Sequence, residues 1–420
     1  MDPKIENSTE KPAVTREVQL TFRSLKHRNF RIYFCGQAVS LCGTWMQQLA
    51  LSWLVYRLTN SAWILGVVEF AMFSPVLIIG LAGGWVADHV NRKKVLAVTQ
   101  LAALSQATIL SILALSGDIQ VWQIICLAAT AGIINAFEIP SRQALIVQMV
   151  DRSDLVNAIS LNSSLFNGSR VIGPALAAAL IGFKGEAICF VINAFSYLAS
   201  FTAVLLLKVP DDPQRHDKGS RSIVEGLKYC FSTPSVRQIL LLTAALSVFG
   251  GQFTVLLPVM AKQVLHTGVE GFGALRSAAA AGSLMAALLL ANRGSGAMLN
   301  RGVGFANLAF GLFLATFALS QNFLLSIGIA CFLGFFMTFQ LSGSHSMLQL
   351  QVPDEMRGRL MSVWTMMIMG MSPLGSLLVG WLANHYGAPL SLVLCASISV
   401  LAAGLYLLVR KSPPRAKIIS

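Results

Sequence analysis

The stretch Gly80–Lys94 reads Gly-Leu-Ala-Gly-Gly-Trp-Val-Ala-Asp-His-Val-Asn-Arg-Lys-Lys, and it closes one long apolar run and opens the next. Gly80, Gly84 and Asp88 are spaced four residues apart, so on a helix they share one face. That face would be almost free of side chains, which lets another helix approach closely, and it ends in a carboxylate. The three cations at 92 to 94 indicate a cytoplasmic turn between two membrane spans.

The composition on either side of this stretch is that of a membrane protein. Of the 420 residues, 55% are hydrophobic and 12% are charged, and the mean hydropathy is +0.67. A soluble protein of this composition would expose large apolar surfaces to water. We therefore expect a polytopic membrane protein. Met1–Leu20 is polar, with no apolar core, so no cleavable signal peptide is predicted.

The formal net charge of +13 does not indicate a nucleic-acid partner. The basic residues fall between apolar runs and are not interleaved with aromatic residues on one soluble face. The seven cysteines lack Cys-x-x-Cys spacing, and all but Cys230 lie inside apolar runs. They are expected to be small buried residues, since neither disulfide nor metal-site spacing is present. No metal, cofactor or nucleic acid is predicted.

Twelve apolar stretches are long enough to span a bilayer, which takes roughly 20 residues each. They predict an all-α membrane protein with twelve transmembrane helices in two sets of six. The spans are placed at about 30–56, 62–85, 94–116, 121–141, 157–182, 186–208, 237–261, 271–292, 302–320, 323–345, 360–384 and 388–410.

The longest polar interruption, 209–236, divides the spans into two bundles. The predicted domains are a cytoplasmic tail (1–29), a first six-helix bundle (30–208), a cytoplasmic central loop (209–236), a second bundle (237–410) and a cytoplasmic tail (411–420). Within the loop, Ile223, Leu227 and Cys230 recur at helical spacing, so a short surface helix is expected there.

The distribution of Lys and Arg predicts that both termini are cytoplasmic. In that orientation only Arg57, Lys184 and Lys262 fall on the outer side, while Arg170 and Arg276 fall within spans. The opposite orientation would invert a strong bias of positive charge.

The two sets of six resemble each other weakly. The segment from Gln143 to Pro174 loosely matches the segment from Met347 to Gly375, in order and in character. Gly80–Lys94 has a weaker counterpart at Asn292–Gly296, where the acid is missing. The halves are therefore expected to be related but not equivalent.

Twelve spans in two repeated halves, with this loop after the second span, resemble the major facilitator superfamily over essentially the whole chain. Its signature, Gly-x-x-x-Asp-Arg-x-Gly-Arg-Arg/Lys, is carried here by Gly84, Asp88, Arg92 and Lys93. His89 replaces the usual Arg, which removes one fixed cation. Asn91 replaces the usual Gly, and because Asn tolerates the left-handed conformation, the turn is expected to be kept.

Four further stretches resemble the branch that contains the enterobactin exporter and macrolide efflux proteins. The resemblance implies export of small molecules driven by proton entry, and we expect a monomer in the bacterial inner membrane. A dedicated siderophore or metabolite exporter and a non-transporting membrane sensor remain alternatives. Gly173 and Pro174 partly resemble a glycine-proline motif of antiporters and are expected to pack helices. The four stretches are Trp45–Trp53, Pro140–Ala144, Leu155–Ser163 and Gly173–Ala175.

Four charged residues stand out inside the predicted spans, away from the span ends: Glu69, Glu138, Arg170 and Arg276. Each costs about 2.5–3.5 kcal/mol to insert, so each is informative. Glu69 and Arg170 lie at similar depth, where they could pair, and Glu138 shares a helix face with Arg142, four residues on. One hypothesis is that Glu69 or Glu138 exchanges protons while cationic or neutral cargo occupies the cavity. The alternative is that both are structural ion pairs.

Polar and aromatic residues on helices expected to face the cavity are candidates for cargo binding. For each of them, hydrogen bonding between helices is the alternative role. The candidates are Gln37, Trp45, Gln48, Asn135, Gln252 and Gln340.

The eleventh span carries a stripe of small residues at four-residue spacing: Ser372, Ser376 and Gly380. We expect this stripe to meet Gly80 and Gly84 of the second span, because the resemblance implies that these two helices face each other across the halves. Asp88, Arg92 and Lys93 would then form a latch that holds the two helices together when the outer side is open. Static packing is the alternative.

Motifs of enzymes and nucleotide-driven pumps are absent from the sequence. There is no His-Glu-x-x-His, no Gly-x-Ser-x-Gly and no Walker-type Gly-x-x-x-x-Gly-Lys. These are the spacings that metalloproteases, serine hydrolases and P-loop ATPases require. No enzymatic activity is therefore predicted.

Overall fold

The computed structural model describes residues 22–209, 223–293, 296–352 and 354–409, which are almost entirely helical and contain no strand. A short helix, Ile223–Ser232, precedes the seventh of twelve long helices in this part of the chain. The long helices are α1 (Arg28–Thr59), α2 (Ala62–His89), α3 (Arg92–Ser116), α4 (Val121–Met149), α5 (Leu155–Lys184), α6 (Ala187–Leu206), α7 (Pro234–Val264), α8 (Gly268–Arg293), α9 (Gly296–Leu319), α10 (Phe323–Gln351), α11 (Asp354–Tyr386) and α12 (Ala388–Val409).

Eleven of these helices are long and apolar enough to cross a membrane, which confirms the predicted all-α, multi-span class. The remaining one, α1, lies where the first span was predicted and has 32 residues. Its sequence is less apolar because it contains Gln37, Ser40 and Gln47, and these polar side chains are buried inside the protein.

The short helix expected in the central loop is also present. Residues 1–21, 210–222 and 410–420, which hold most of the predicted tails and the first part of that loop, lie outside the described residues.

The helix ends define two ends of the bundle. We call the end that contains Asn91 the motif end, and the end that contains Asn60 the far end. Asn60 ends α1 in the left-handed conformation, with φ 45°, and the hydroxyl of Ser61 accepts the N–H of Ile64 at 3.4 Å to begin α2. Asn91 begins α3 by accepting the N–H of Lys94 at 3.0 Å. Its φ of −54° shows that the left-handed turn expected there is wrong. The turn is kept because Asn caps the following helix.

The first half (α1–α6) and the second half (α7–α12) repeat the same helix pairings. In the first half α2 packs on α4, and in the second half the corresponding α8 packs on α10. Both contacts are close because glycine lets the backbones meet: Gly83 faces the carbonyl of Ala136, and Gly282 faces that of Cys331. A Cβ at either glycine would overlap the opposing carbonyl. The weak internal repeat of the sequence therefore corresponds to repeated packing.

A buried chain of amides joins four helices of the first half. Asn193 on α6 donates to Gln47 on α1 at 2.8 Å, and Gln47 donates to Gln106 on α3 at 3.3 Å. Gln106 then donates to the carbonyl of Leu127 on α4 at 3.2 Å. Because buried polar groups need partners, this chain specifies how the four helices pack.

The segment before α1 is anchored to the α4–α5 turn through Asp154. Lys26 Nζ lies 2.7 Å and Arg23 Nε 3.1 Å from its carboxylate, and His27 Nε2 lies 2.8 Å away. The hydrogen bonds from Lys26 and His27, helped by the neighbouring positive charges, hold the pKa of Asp154 below its usual range. The carboxylate is thus the centre of this anchor.

We expect Asp154→Asn to lower the midpoint of thermal unfolding in detergent at neutral pH. A carboxylate whose folded pKa is depressed stabilises the native state above its unfolded pKa and loses this effect as the pH falls through the folded value. The difference between variant and parent should therefore shrink on acidification below about pH 4, the ordinary range of Asp. Asp118→Asn is the matched control, because Asp118 is exposed and its carboxylate has no described partner. Equal midpoints for the two variants would refute the anchor.

Candidate functional site

The two halves contact each other through α2 with α11 and through α5 with α8. On α11, the Ser376 hydroxyl donates to the carbonyl of Gly66 at 3.2 Å. A Cβ at Gly66 would overlap the backbone of Ser376 and lie 3.3 Å from the Cα of Gly380. The small-residue stripe of α11 therefore packs against α2, as predicted, and does so near the far end.

Gly80 and Gly84, the predicted partners of the stripe, have no described contact with α11 in this conformation. No described atom lies within 4 Å of the Cβ position at Gly84, and Gly80 meets only Val76 of its own helix, at 3.9 Å. Toward the motif end, a Cβ at Gly370 of α11 would lie 2.8 Å from Leu77. Contact between the signature glycines and α11 in the opposite state stays a prediction.

The α5–α8 contact also combines a serine hydrogen bond with a close approach at a glycine. The Ser277 hydroxyl donates to the carbonyl of Val171 at 2.9 Å, and Gly273 faces the carbonyl of Pro174, from which its Cβ would lie 3.0 Å away. Nearer the motif end, Gly168 has no atom within 4 Å of its Cβ position. This pair too is closed toward the far end and open toward the motif end.

Two further hydrogen bonds join the halves at the far end. Lys262 donates to Asn60 at 2.8 Å, and Ser61 donates to Asn384 at 3.2 Å. Every hydrogen bond described between the halves lies between mid-depth and the far end. The gap between the halves, which we call the inter-half space, is therefore closed at the far end.

Three charged residues lie beside contacts between the halves. Glu69 follows Gly66 by three residues, Arg170 precedes Val171, and Arg276 precedes Ser277. We call these three the charged layer. Since the bonds at Gly66 and at Val171 join opposite halves, the layer lies where the halves meet.

The charges of the layer are not paired as predicted. Glu69 and Arg276 attract each other across the halves, whereas Arg170 is acted on by the like charge of Arg276. No ion pair within 4.0 Å involves any of the three in the described chain. The expected Glu69–Arg170 ion pair is therefore not formed in this conformation, and Arg276 of α8 is the arginine whose charge acts on Glu69.

Arg170 lies instead over an aromatic surface. Its guanidinium carbon is 5.7 Å from the ring centroid of Trp45 on α1, and Trp45 meets the edge of Phe166 at 5.5 Å. The Cβ position at Gly173, one turn along α5, is 2.6 Å from the Cβ of Trp45, so this glycine makes room for the indole. Of the predicted cargo residues, Trp45 is the one beside the charged layer.

The predicted Glu138–Arg142 pair is confirmed, with Nη1 to Oε1 at 3.3 Å. Glu138 is 7% exposed. The charges of both residues act on Tyr33 of α1 and Tyr197 of α6. The pair therefore lies within the first half, and this position favours a structural role.

Gln252 and Gln340 are used in packing inside the second half. Gln252 donates to the carbonyl of Ser247 at 2.8 Å and to the Ser372 hydroxyl at 3.0 Å. Gln340 donates to Thr243 at 3.3 Å and to Ser344 at 3.2 Å. The other predicted amides differ in exposure, Gln37 being buried and Gln48 and Asn135 half-buried.

The cations of the signature stretch cap helix ends. Arg92 Nε donates to the carbonyl of Ala87 at 3.1 Å, and Lys93 Nζ donates to the carbonyls of Leu205 and Leu207 at 3.1 and 2.6 Å. Both interactions place positive charge at a helix C-terminus, where the unpaired carbonyls lie. Asp88 is exposed and has no ion pair or hydrogen bond in the described chain. Several side chains at the motif end of α11 lie outside the described ones, so the predicted latch to α11 stays a prediction.

Sequence reasoning missed the ion pair that joins α1 to the start of α6. Arg57 Nε lies 2.7 Å from Glu186 Oε1, and Nη2 donates to Oε2 at 3.3 Å. The two residues are 129 apart in the chain, so no periodic pattern links them.

Comparison with known proteins gives relatives over most of the chain. A family profile described as transmembrane secretion effector matches residues 19–418. The staphyloferrin A transporter of Staphylococcus aureus (strain NCTC 8325 / PS 47) is 28% identical over 371 residues, which cover 85% of this chain and 90% of the relative. The enterobactin exporter EntS of Shigella boydii serotype 4 is 25% identical over 405 residues, with 93% and 95% covered. Macrolide efflux protein A of Streptococcus pyogenes is 25% identical over 189 residues, with 44% and 47% covered.

Solved structures of similar fold cover the whole set of helices. A bacterial homologue of the human lysosomal transporter Spinster, in an inward-facing and unoccupied conformation, has a TM-score of 0.71 at 14% identity, covering 92% of this chain and 99% of its own. The nucleoside transporter NupG has a TM-score of 0.69 at 13% identity, with 91% and 100% covered. At these identities the similarity shows the fold alone.

Proposed function

Because the chain belongs to the transmembrane secretion effector family of major facilitator transporters, we propose that it exports an amphipathic small molecule across the bacterial inner membrane. Export occurs by alternating access of the inter-half space to the two sides of the membrane, and proton entry drives it. One observation carries this proposal: the hydrogen bonds between the halves are confined to the region from mid-depth to the far end. A space that is closed on one side and bordered by charge is what a carrier needs in one of its two states.

The motif end faces the cytoplasm in this proposal. The cations Arg92, Lys93 and Lys94 lie there, and so do the described chain ends, Phe22 and Val409. Positive charge is retained on the cytoplasmic side of membrane proteins. The structure would then represent the state in which cargo enters from the cytoplasm, before the far end opens.

Glu69 is the proposed proton site. Its carboxylate attracts Arg276 of the other half, and protonation would remove this attraction. A group whose protonation changes the attraction between the halves shifts the balance between the two states of the carrier. Glu138 lacks this property because its partner Arg142 lies on the same helix.

We expect Glu69→Gln to reduce cargo transport driven by an imposed pH gradient about tenfold, which corresponds to about 1.4 kcal/mol. The assay uses inverted membrane vesicles and measures proton release induced by macrolides, cationic dyes or catecholate siderophores. Glu138→Gln is the matched variant, since it removes a buried carboxylate that does not face the other half. Equal transport by Glu69→Gln and the parent protein would refute the proton site. Failure of the parent to move any solute or proton would favour a non-transporting sensor.

A dedicated siderophore exporter is the second candidate. It is favoured by the relatives that cover most of the chain, a staphyloferrin A transporter and an enterobactin exporter, whereas the macrolide efflux protein matches less than half of it. Transport of siderophores without transport of macrolides or dyes, in the same vesicles, would decide for this narrower function.

A further inference from the structure

The charged layer contains one more positive charge than negative. Glu69 is the acid of the layer, and Arg170 and Arg276 are its two cations. The bond between Ser277 and Val171 joins the residues that follow the two arginines at 2.9 Å. Both arginines therefore extend from adjoining turns of α5 and α8, one from each half.

Arg170 is the cation without a compensating acid. Glu69 acts on Arg276, and the charged group that acts on Arg170 is Arg276 itself. The other acids near this region have different surroundings: Glu138 pairs with Arg142 at 3.3 Å, and Glu270 faces Gly182 near the far end. Arg170 has no hydrogen bond in the described chain. Charged groups inside membranes are normally paired or face water, and the partly exposed guanidinium of Arg170 borders the inter-half space, where it is available to bind a counter-ion.

The surface beside Arg170 is suited to an apolar or aromatic body. Trp45 lies under the guanidinium and forms an aromatic wall with Phe166, which is 38% exposed. The indole N–H of Trp45 is buried and has no hydrogen-bond partner in the described chain. A ligand that brings an aromatic ring would stack on this wall.

We propose that the inter-half space binds an organic anion, whose carboxylate or other oxyanion contacts Arg170 and whose apolar body packs against Trp45. Guanidinium is the side-chain group best suited to bind oxyanions through two parallel hydrogen bonds. This inference names the class of cargo, and it rests on the proposed function in treating that ligand as a transported molecule. It replaces the expectation of cationic or neutral cargo. It also agrees with outward movement, because an inside-negative membrane potential favours the exit of anions.

The binding test uses three probes that share a naphthalene ring and differ in charge: naphthoate, naphthamide and naphthylmethylammonium. Their dissociation constants are measured by calorimetry on the full chain in lipid nanodiscs. The parent protein should bind naphthoate at least about tenfold more tightly than naphthamide. Arg170→Gln should remove this preference and leave naphthamide binding unchanged. Lys184→Gln, which removes an exposed cation near the end of the same helix, should keep the preference.

Two measurements distinguish loss of the anion site from a folding defect in Arg170→Gln. Thermal unfolding shows whether Arg170→Gln is folded, and Arg170→Lys, which keeps the charge without the planar guanidinium, should retain part of the preference for naphthoate. Equal binding of naphthoate and naphthamide by the parent protein would overturn the anion site. So would the same loss of preference in Lys184→Gln and Arg170→Gln.

A transport assay separates this inference from the proposed function. Proteoliposomes that move naphthylmethylammonium but not naphthoate would leave export intact and overturn the anion site. Proteoliposomes that move neither probe, from a protein that binds naphthoate through Arg170, would support the site and count against export. Movement of naphthoate that responds to an imposed membrane potential would support both.

Discussion

Gly66→Val should abolish transport while the protein remains folded in the membrane. A Cβ at Gly66 would overlap the carbonyl of Ser376, and the Cα of Gly380 lies 3.3 Å away. Both obstacles are backbone atoms, which cannot move aside by changing rotamer. The substitution therefore separates α2 from α11 at the far end, and the state with a closed far end becomes inaccessible.

The matched variant is Gly84→Val, at the other end of the same helix. No atom lies within 4 Å of that Cβ position, so the substitution should be accommodated in the state described here. If the motif end closes during transport, the valine at residue 84 should disfavour the state in which the motif end is closed. The two valines are thus expected to shift the same equilibrium in opposite directions.

Cysteine labelling with a membrane-impermeant maleimide measures the shift. Reporter cysteines replace Asn384 at the far end and Asp88 at the motif end, in a chain whose seven native cysteines have been replaced. Gly66→Val should raise labelling at residue 384, and Gly84→Val should raise labelling at residue 88. Normal transport by Gly66→Val, with labelling like that of the parent, would show that the far end does not need this close contact.

The sequence predicted which helices meet but not where along them they meet. The eleventh helix was expected to face the second because the family resemblance implies it, and both helices carry small residues at four-residue spacing. Such a stripe specifies the face of a helix, yet α2 has glycines at 66, 80 and 84, and periodicity does not choose among them. In a carrier with two states the contact also depends on the state. The structure shows contact at Gly66 and none at Gly84.

The charged residues show the same limit. Glu138 and Arg142 were paired correctly because residues spaced four apart on one helix lie on the same face, whatever the tertiary structure. Glu69 was expected to pair with Arg170, whereas the charge of Arg276 acts on it here, since the choice between the two arginines depends on how α5 and α8 rotate against each other. The Asp154 anchor and the Arg57–Glu186 pair join segments about 130 residues apart. Contacts at such separation leave no periodic signal in a single sequence.

Cross-linking the far end should stop transport completely and reversibly. The Ser61 hydroxyl lies 3.2 Å from Asn384 Oδ1, and Ser61 belongs to the first half whereas Asn384 belongs to the second. We therefore expect cysteines at these two positions to be joined by a short thiol-specific bifunctional reagent. A native hydrogen bond contributes only about 1 kcal/mol and opens readily. A covalent link at the same place does not open, so cargo could enter from the motif end but could not leave at the far end.

The control joins two residues of one half at the same end of the molecule. The side-chain tips of Arg57 and Glu186 lie 2.7 Å apart and both residues belong to the first half, so cysteines at these positions can be linked by a longer reagent of the same chemistry without connecting the halves. We expect transport to persist after that link and to stop after the Ser61–Asn384 link. A reducing agent that cleaves the reagent should restore it. Full transport with residues 61 and 384 linked would mean that cargo leaves without separation of α2 from α11, and the far-end closure would then be a fixed feature of the fold.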